Sequence, residues 1–361
     1  MKGTKTTFLI FLFCSFCMSA YSQQPIKVVI AGLSHDHVHN ILKEYNKGTV
    51  TLIGIVEADK SLQEKYSKLY HVPQELFSDD LPSLLSKKKP DVVLGYNPVA
   101  EHVNLVRVCA PLKIPVMVEK PLAATLDQAR EIAKLAAQYN VQVLTNYETT
   151  WYPSYHEVYK NIENDSIGSI KKMVVHDGHQ GPKEIGCSKE FLDWLTDPVK
   201  NGAGALNDFG CYGADLMTWL MKGQRPIAVT AIARHYKPSI YPKVEDDATI
   251  ILEYPQATGQ IEASWNWPYS IKDLEVFGEK GYYHALNSTD IFSRMRENKT
   301  ADVKAQLLEA PLNDPIIYLK AVLKQKINSK NDLSSLTYNM IVMEILDAAK
   351  RSVKEGRRII L

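Results

Sequence analysis

The sequence predicts an α/β chain in two parts: a doubly wound parallel sheet, then an α+β domain built on a large open sheet, mixed or antiparallel. Three observations lead there. Up to residue 145, apolar β-rich runs alternate with segments of helical spacing. Beyond that point strands follow one another closely with turn residues between them, and the chain closes on one long amphipathic helix. The 361 residues, 45% of them hydrophobic, are enough for two domains with sizeable cores.

In chain order, "IKVVIAG" is the first strand, residues 36–47 a helix and "TLIGIVEAD" the second strand. "SLQEKYSKLYH" reads as helix, "PDVVLGYN" as strand, "AEHVNLVRVCAPL" as helix and "PVMVEK" as strand; "LDQAREIAKLAAQYN" and "VQVLTNY" add one more helix and strand. Strands joined through helices run parallel, with the helices on both faces. The second part offers "KKMVVHDG", "AVTAIARHY", "DATIILEY" and "GQIEASWNW" as strands, and "LTYNMIVMEILDAAKRSVKEG" as a helix that covers a sheet face or packs back on the first domain. The predicted divisions are 1–22, 23–145 and 146–361.

Residues 1–22 form an export signal: Lys2 and Lys5 precede the apolar run "FLIFLFCSFCMSA", and Ala20 and Ser22 put small residues at a cleavage site. The run is short for a membrane span, so the mature chain is expected to be periplasmic or secreted, with no membrane attachment. Without paired arginines it would cross unfolded, without a cofactor. Cleavage leaves Cys109, Cys187 and Cys211, an odd number that excludes a disulfide framework. With 42 Lys and Arg against 41 Asp and Glu and no basic run, the composition excludes nucleic acid and points to a small-molecule partner.

Ligands of a doubly wound sheet bind beyond the carboxyl ends of its strands. Gly32, Glu57, Asn97-Pro98 and Glu119-Lys120-Pro121 stand at such ends. Glu57 comes at the distance past Gly32 where an acid reaches an adenosine ribose diol. Lys120 ends a buried strand, where its ammonium can orient a substrate hydroxyl, and the proline after it holds its backbone extended. A metal reading competes at the first turn. His35 and His39 have ligand spacing on a helix with Asp36 nearby, while His37 points elsewhere. His176 and His179 could converge on the same cleft, but four ligands cannot be counted, and no metal is predicted.

On "IAGLSHDHVHNIL", "GIVEAD", "NPVAEH", "PVMVEKPLAAT", "VLTNYETTWYP", "NGAGALNDFGCYGAD" and "DLSSLTYNMIVMEILDAA", the mature chain resembles the glucose-fructose oxidoreductase, inositol dehydrogenase and rhizopine-catabolism family of NAD(P)-dependent oxidoreductases. The resemblance implies a Rossmann domain with Gly32, Ser34, His35, Asp36, His37, Glu57, Asn97, Pro98, His102, Glu119 and Lys120 around the cofactor. Glu57 argues for NAD over NADP. Ser34 and His37 replace the second and third glycines of the usual turn, so altered cofactor binding is expected.

The resemblance also implies that Lys120, Asp208 and Tyr212 are catalytic, with tyrosine standing where many relatives carry histidine, as in the glucose-fructose oxidoreductase and dihydrodiol dehydrogenase branches. Asp208 and Tyr212 are i and i+4, hence on one helix face. Gly204 and Gly210 would permit close approach, and Lys120 would bring the phenol of Tyr212 towards working range. Asp215 is expected to be a surface or structural acid. Trp151 and His179 are candidates to line a sugar pocket.

The implied activity is oxidation of a CH–OH group of a sugar, polyol or glycoside, with tightly held NAD recycled by a second substrate. A redox-neutral glycosidase or lyase working through a transient keto-sugar is the alternative, and a non-catalytic sugar-binding protein the third. A homo-oligomer through the C-terminal sheet is expected.

Overall fold

A computed structural model describes residues 25–296 and 299–361, so the predicted export segment, residues 1–22, lies outside the described residues. The first sheet is built from β1 (Ile26–Ala31), α1 (Val38–Lys47), β2 (Val50–Val56), α2 (Lys60–Tyr70), β3 (Phe77–Ser78), α3 (Leu81–Lys87), β4 (Val92–Gly95), α4 (His102–Cys109), β5 (Val116–Glu119), α5 (Leu126–Tyr139) and β6 (Val143–Asn146). Its six strands are all parallel, in the order β3-β2-β1-β4-β5-β6. Val28, Val29 and Ile30 are all fully buried, as helices on both faces require of a central strand. The strand order reverses between β1 and β4, which opens a crevice at their carboxyl ends.

The second part holds α6 (Pro153–Glu163), β7 (Ile170–Gly178), α7 (Lys189–Leu195), α8 (Ala205–Asp208), α9 (Gly210–Leu220), β8 (Ala228–Arg234), β9 (Asp247–Glu253), β10 (Thr258–Ser264), β11 (Ile271–Gly278), β12 (Gly281–Ala285), β13 (Asp290–Met295), β14 (Thr300–Lys304), α10 (Pro315–Leu323), α11 (Leu336–Glu355) and β15 (Ile359–Ile360). Nine strands pair in the order β14-β13-β12-β11-β7-β10-β9-β8-β15. The β7–β10 pair is parallel and the others are antiparallel, so the sheet is mixed. Every residue of α9 is buried, because the helix lies against this sheet on one side and α11 on the other. Among the described residues the opposite sheet face is uncovered and carries exposed Ile232, Ile251 and Phe277. Cys109, Cys187 and Cys211 are free. Among the described residues no helix is long and apolar enough to cross a membrane.

Three local readings change. The helix predicted from residue 36 begins at Val38, because His35–His37 form a turn closed by the Val38 N–H on the His35 carbonyl. The single helix expected to carry both Asp208 and Tyr212 is broken at Phe209, so these residues sit on α8 and α9. Asp215 is fully buried, with both carboxyl oxygens unpartnered and burial pushing its pKa well up, which makes it an interior acid rather than a surface one.

Candidate active site

Lys120 extends from the end of β5 into the space between the sheets and is 6% exposed. Its Nζ donates to the Asp208 carbonyl at 3.0 Å and to Asp208 Oδ1. Asp208 Oδ2 accepts from Trp265 Nε1 at 2.9 Å, so both carboxylate oxygens are engaged. Burial works against both charges, but the Lys120 ammonium outweighs it at Asp208 and holds that carboxyl below its ordinary value. In turn Asp208 keeps the lysine charged. An ammonium has three N–H groups; Asp208 takes two, leaving one.

Lys120, Asp208, Tyr212, Phe209 and His179 line one cavity of about 450 Å³. The Tyr212 ring centroid lies 5.1 Å from Lys120 Nζ and 4.8 Å from Lys272 Nζ. Burial, then the charge of Glu148, pushes the phenol well above its usual range. That corrects the expectation that Lys120 lowers it: both cations lie against the ring, where they do not offset desolvation of the phenolate. His179 Nδ1 accepts from the Gly181 N–H at 2.9 Å, which leaves its proton on Nε2. Burial lowers His179 to about 4, so it is neutral near pH 7. The cavity therefore presents donors: an ammonium N–H, a phenol and an imidazole N–H.

On the nucleotide side Gly32 adopts φ +86°, and a Cβ there would meet the Asn97 backbone at 2.7 Å, so only glycine lets these loops touch. Glu57 accepts from the N–H groups of Leu33 and Asp59, each at 2.9 Å, and burial raises its pKa. The Ser34 carbonyl accepts from Trp194 Nε1 at 3.1 Å, and Asp36 Oδ2 from the Ser188 N–H at 3.0 Å. His35 packs its ring against Phe191 and Trp194. Helix α7 and its cap thus grip the turn from the second domain. Asn97 Oδ1 is buried and unpartnered, and Pro98 caps the short turn that leads into α4.

The histidines are not arranged as the metal reading required. His39 turns to Tyr70, while His35, His37 and Glu119 bring potential ligand atoms within 4.8 Å of one another. His35 Nδ1 accepts from the His37 N–H at 3.1 Å, which leaves the proton on Nε2, buried and unpartnered. A ligating histidine normally donates from its second nitrogen, so this arrangement suits a cation poorly. His37 Nδ1 instead bonds Glu119 Oε2 at 2.9 Å, and Glu119 Oε1 accepts from Asn146 Nδ2 at 2.9 Å. His176 lies far from His179 in role: it pairs with Asp273 on the second sheet.

Two predicted contacts move. His102 is fully buried and donates to the Leu122 carbonyl at 3.2 Å; it lines neither the Lys120 cavity nor the one adjoining it and braces the bend after Lys120. Trp151 bonds Asn146 and lines a second cavity of about 410 Å³ with Tyr96, Met117 and Glu119, rather than the cavity of Lys120. His37 and Glu148 belong to both cavities, so the two meet there. Sequence reasoning missed Glu148, Lys272, Asp177 and Trp265, which the fold brings together from distant segments. For Glu148, Lys272 and Asp177 the local signal is a charged side chain in or beside an apolar strand.

Residues 26–147 match an oxidoreductase family with an NAD-binding Rossmann fold, and residues 155–284 match the GFO/IDH/MocA C-terminal domain. The chain belongs to the GFO/IDH/MocA family. As a GFO/IDH/MocA oxidoreductase it is 26% identical over 237 residues to trans-1,2-dihydrobenzene-1,2-diol dehydrogenase of Xenopus laevis, covering 64% of this chain and 65% of that one. The Bos taurus enzyme of the same name is 22% identical over 265 residues, 72% of this chain and 73% of that one. Its fold is similar to an aldose-aldose oxidoreductase from Caulobacter crescentus, with TM-score 0.78, 18% identity and coverage of 93% and 100%. An inositol dehydrogenase homolog from Azotobacter vinelandii, solved with NAD+, gives TM-score 0.80 at 15% identity, with coverage of 94% and 98%.

Proposed function

We propose that this oxidoreductase interconverts a CH–OH and a C=O group on a sugar, polyol or glycoside, with NAD held at the Gly32 turn. The carrying observation is the Lys120 ammonium, fixed by Asp208 with one N–H unspent, beside Tyr212 in a cavity that adjoins the nucleotide side. Lys120 orients the substrate oxygen, Tyr212 exchanges its proton, and His179 donates to a neighbouring oxygen. Asp208, with both oxygens engaged, keeps the lysine charged and is a poor base. The names of the relatives, which include a diol and an aldose, support this substrate class.

The turn suits the cofactor: Gly32 gives the close backbone approach, Glu57 stands at the ribose position, and the His35 Nε2–H and Asn97 Oδ1 are buried and unpartnered. When bound, NAD would supply the hydride acceptor. Glu57 favours it over NADP, because a carboxylate repels a 2′-phosphate. The grip of α7 on the turn supports slow cofactor exchange, which export through residues 1–22 would demand. The uncovered face of the nine-stranded sheet is the surface by which copies of the chain would pair.

The test is single-turnover formation of enzyme-bound NADH from aldoses, cyclic polyols and glycosides. Tyr212→Phe should slow it by about 10² to 10⁴ while NAD binding survives, the usual range for a positioned proton carrier. A variant as fast as the unaltered protein removes Tyr212 from the chemistry. NADH that forms and disappears as a glycoside is cleaved moves the reading to the redox-neutral alternative.

A further inference from the structure

The cavity holds a second ion pair that the proposed chemistry does not use. Lys272, on β11, donates to Glu148 Oε2, and the Tyr152 hydroxyl donates to Glu148 Oε1. The Lys272 side chain is 20% exposed and Glu148 47%, and both line the cavity of Lys120. Glu148 takes one of the three ammonium N–H groups. Across the β7–β11 pairing, Asp177 stands directly opposite Lys272, buried, with both carboxyl oxygens unpartnered. Burial, only partly opposed by Lys272, pushes the Asp177 carboxyl well above its ordinary range and favours its uncharged form, whereas Lys272 and the Tyr152 hydroxyl overcome burial and hold Glu148 at about 2. Two acids around one lysine are thus pushed apart, and Glu148 is the one that bonds the ammonium.

Lys120 and Lys272 both lie over the Tyr212 ring, so the two ammoniums are at most about 10 Å apart. Two ammoniums bonded to adjacent oxygens of a vicinal diol fall within about 8 to 9 Å of one another. We propose that Lys272 is a specificity-determining residue that binds the oxygen next to the reacting one, so that the cavity selects vicinal diols over lone alcohols. Glu148 accepts from the same neighbouring hydroxyl and keeps Lys272 extended over Tyr212. Asp177 forms the buried floor opposite Lys272.

This inference rests on the proposed sugar or polyol chemistry, and one experiment separates the two. NAD-loaded protein is titrated with trans-1,2-cyclohexanediol against cyclohexanol, and with myo-inositol and D-glucose against their single-deoxy analogues, while absorbance follows bound NADH. The unaltered protein should favour the diol member of a pair by roughly 10- to 100-fold, the worth of a hydrogen bond to a charged group. Lys272→Met should erase that preference without weakening the deoxy ligand, and Lys272→Arg should restore part of it. Equal weakening of both ligands, an unaltered protein with no preference, or one that binds none of the diols overturns the inference. NADH formed from any alcohol in the panel supports the oxidoreductase reading independently of that outcome.

Discussion

The turns after β1 and β5 end strands only two places apart in the first sheet, yet they have been filled in opposite ways. The first is crowded: Ser34, Asp36 and His35 are each engaged by α7 or its cap, and His37 is tied to Glu119. The second is spare, with a single cation anchored on one carboxylate and a free N–H towards the cavity. A nucleotide turn can be rebuilt with side chains because backbone and many substitutes can hold a phosphate. A reacting oxygen needs one charge at one place, which few substitutes meet.

Breaking the spare turn should therefore have the largest effect. Lys120→Met strands the Asp208 carboxylate, so turnover should fall by about 10² to 10⁴ and stability by about 3 to 5 kcal/mol. Adding Asp208→Asn should recover much of the stability in chemical denaturation but none of the turnover. Recovery of both would mean that the pair is only a strut.

Acid should expose the histidines on both sides of the comparison. His102 and His179 are held by burial at about 4, against an ordinary 6.5. Below about pH 6.5 the unfolded chain takes up protons that the folded one refuses, so stability is complete above that value and drains as pH falls towards 4. For His102 alone the loss is on the order of 3 kcal/mol. Urea midpoints at pH 7.5 and 4.5 test this, and a flat profile would contradict it. Because Tyr212 is held as a phenol, carbonyl reduction should run well near neutral pH, whereas alcohol oxidation should accelerate as pH rises. Initial rates in both directions across pH give the answer.

The crowded turn should yield smaller effects. Glu57→Ala should weaken NAD by about tenfold and narrow its advantage over NADP; isothermal titration with both nucleotides checks this. Trp194→Phe keeps the packing on His35 but removes the N–H to Ser34. It should cost about 1 kcal/mol and speed NAD release several-fold, leaving the Lys120 chemistry unchanged. Stopped-flow displacement of bound NAD would show whether α7 governs release at all.

Legibility follows the same divide. The βα rhythm and the Lys120 strand end were readable because period and strand position are local properties of sequence. Lys272 opposite Asp177 was not, because a register across β7 and β11 joins residues that no window contains together. β14 carries five exposed residues and no alternation of buried side chains, so it has no strand signature to read. The helix break at Phe209 was equally silent, since α8 and α9 lie end to end in a fully buried stretch. His35 and His39 had ligand spacing on paper, and only the turn geometry separates them.

Residues 318–322 and the last long helix have a temporal consequence. Tyr318, Leu319 and Val322 complete the apolar cluster that contains Val28, Ile30 and Leu144. On α11, Asn339 accepts from the Tyr147 hydroxyl at 2.9 Å, and Lys350 donates to the Ala124 carbonyl at 3.1 Å. The first sheet is thus sealed by segments synthesised about 170 residues or more after its last strand. A nascent chain stopped at residue 150 would have all six strands of its first sheet but lack part of their cover, leaving apolar surface open to chaperones or aggregation until α10 and α11 emerge.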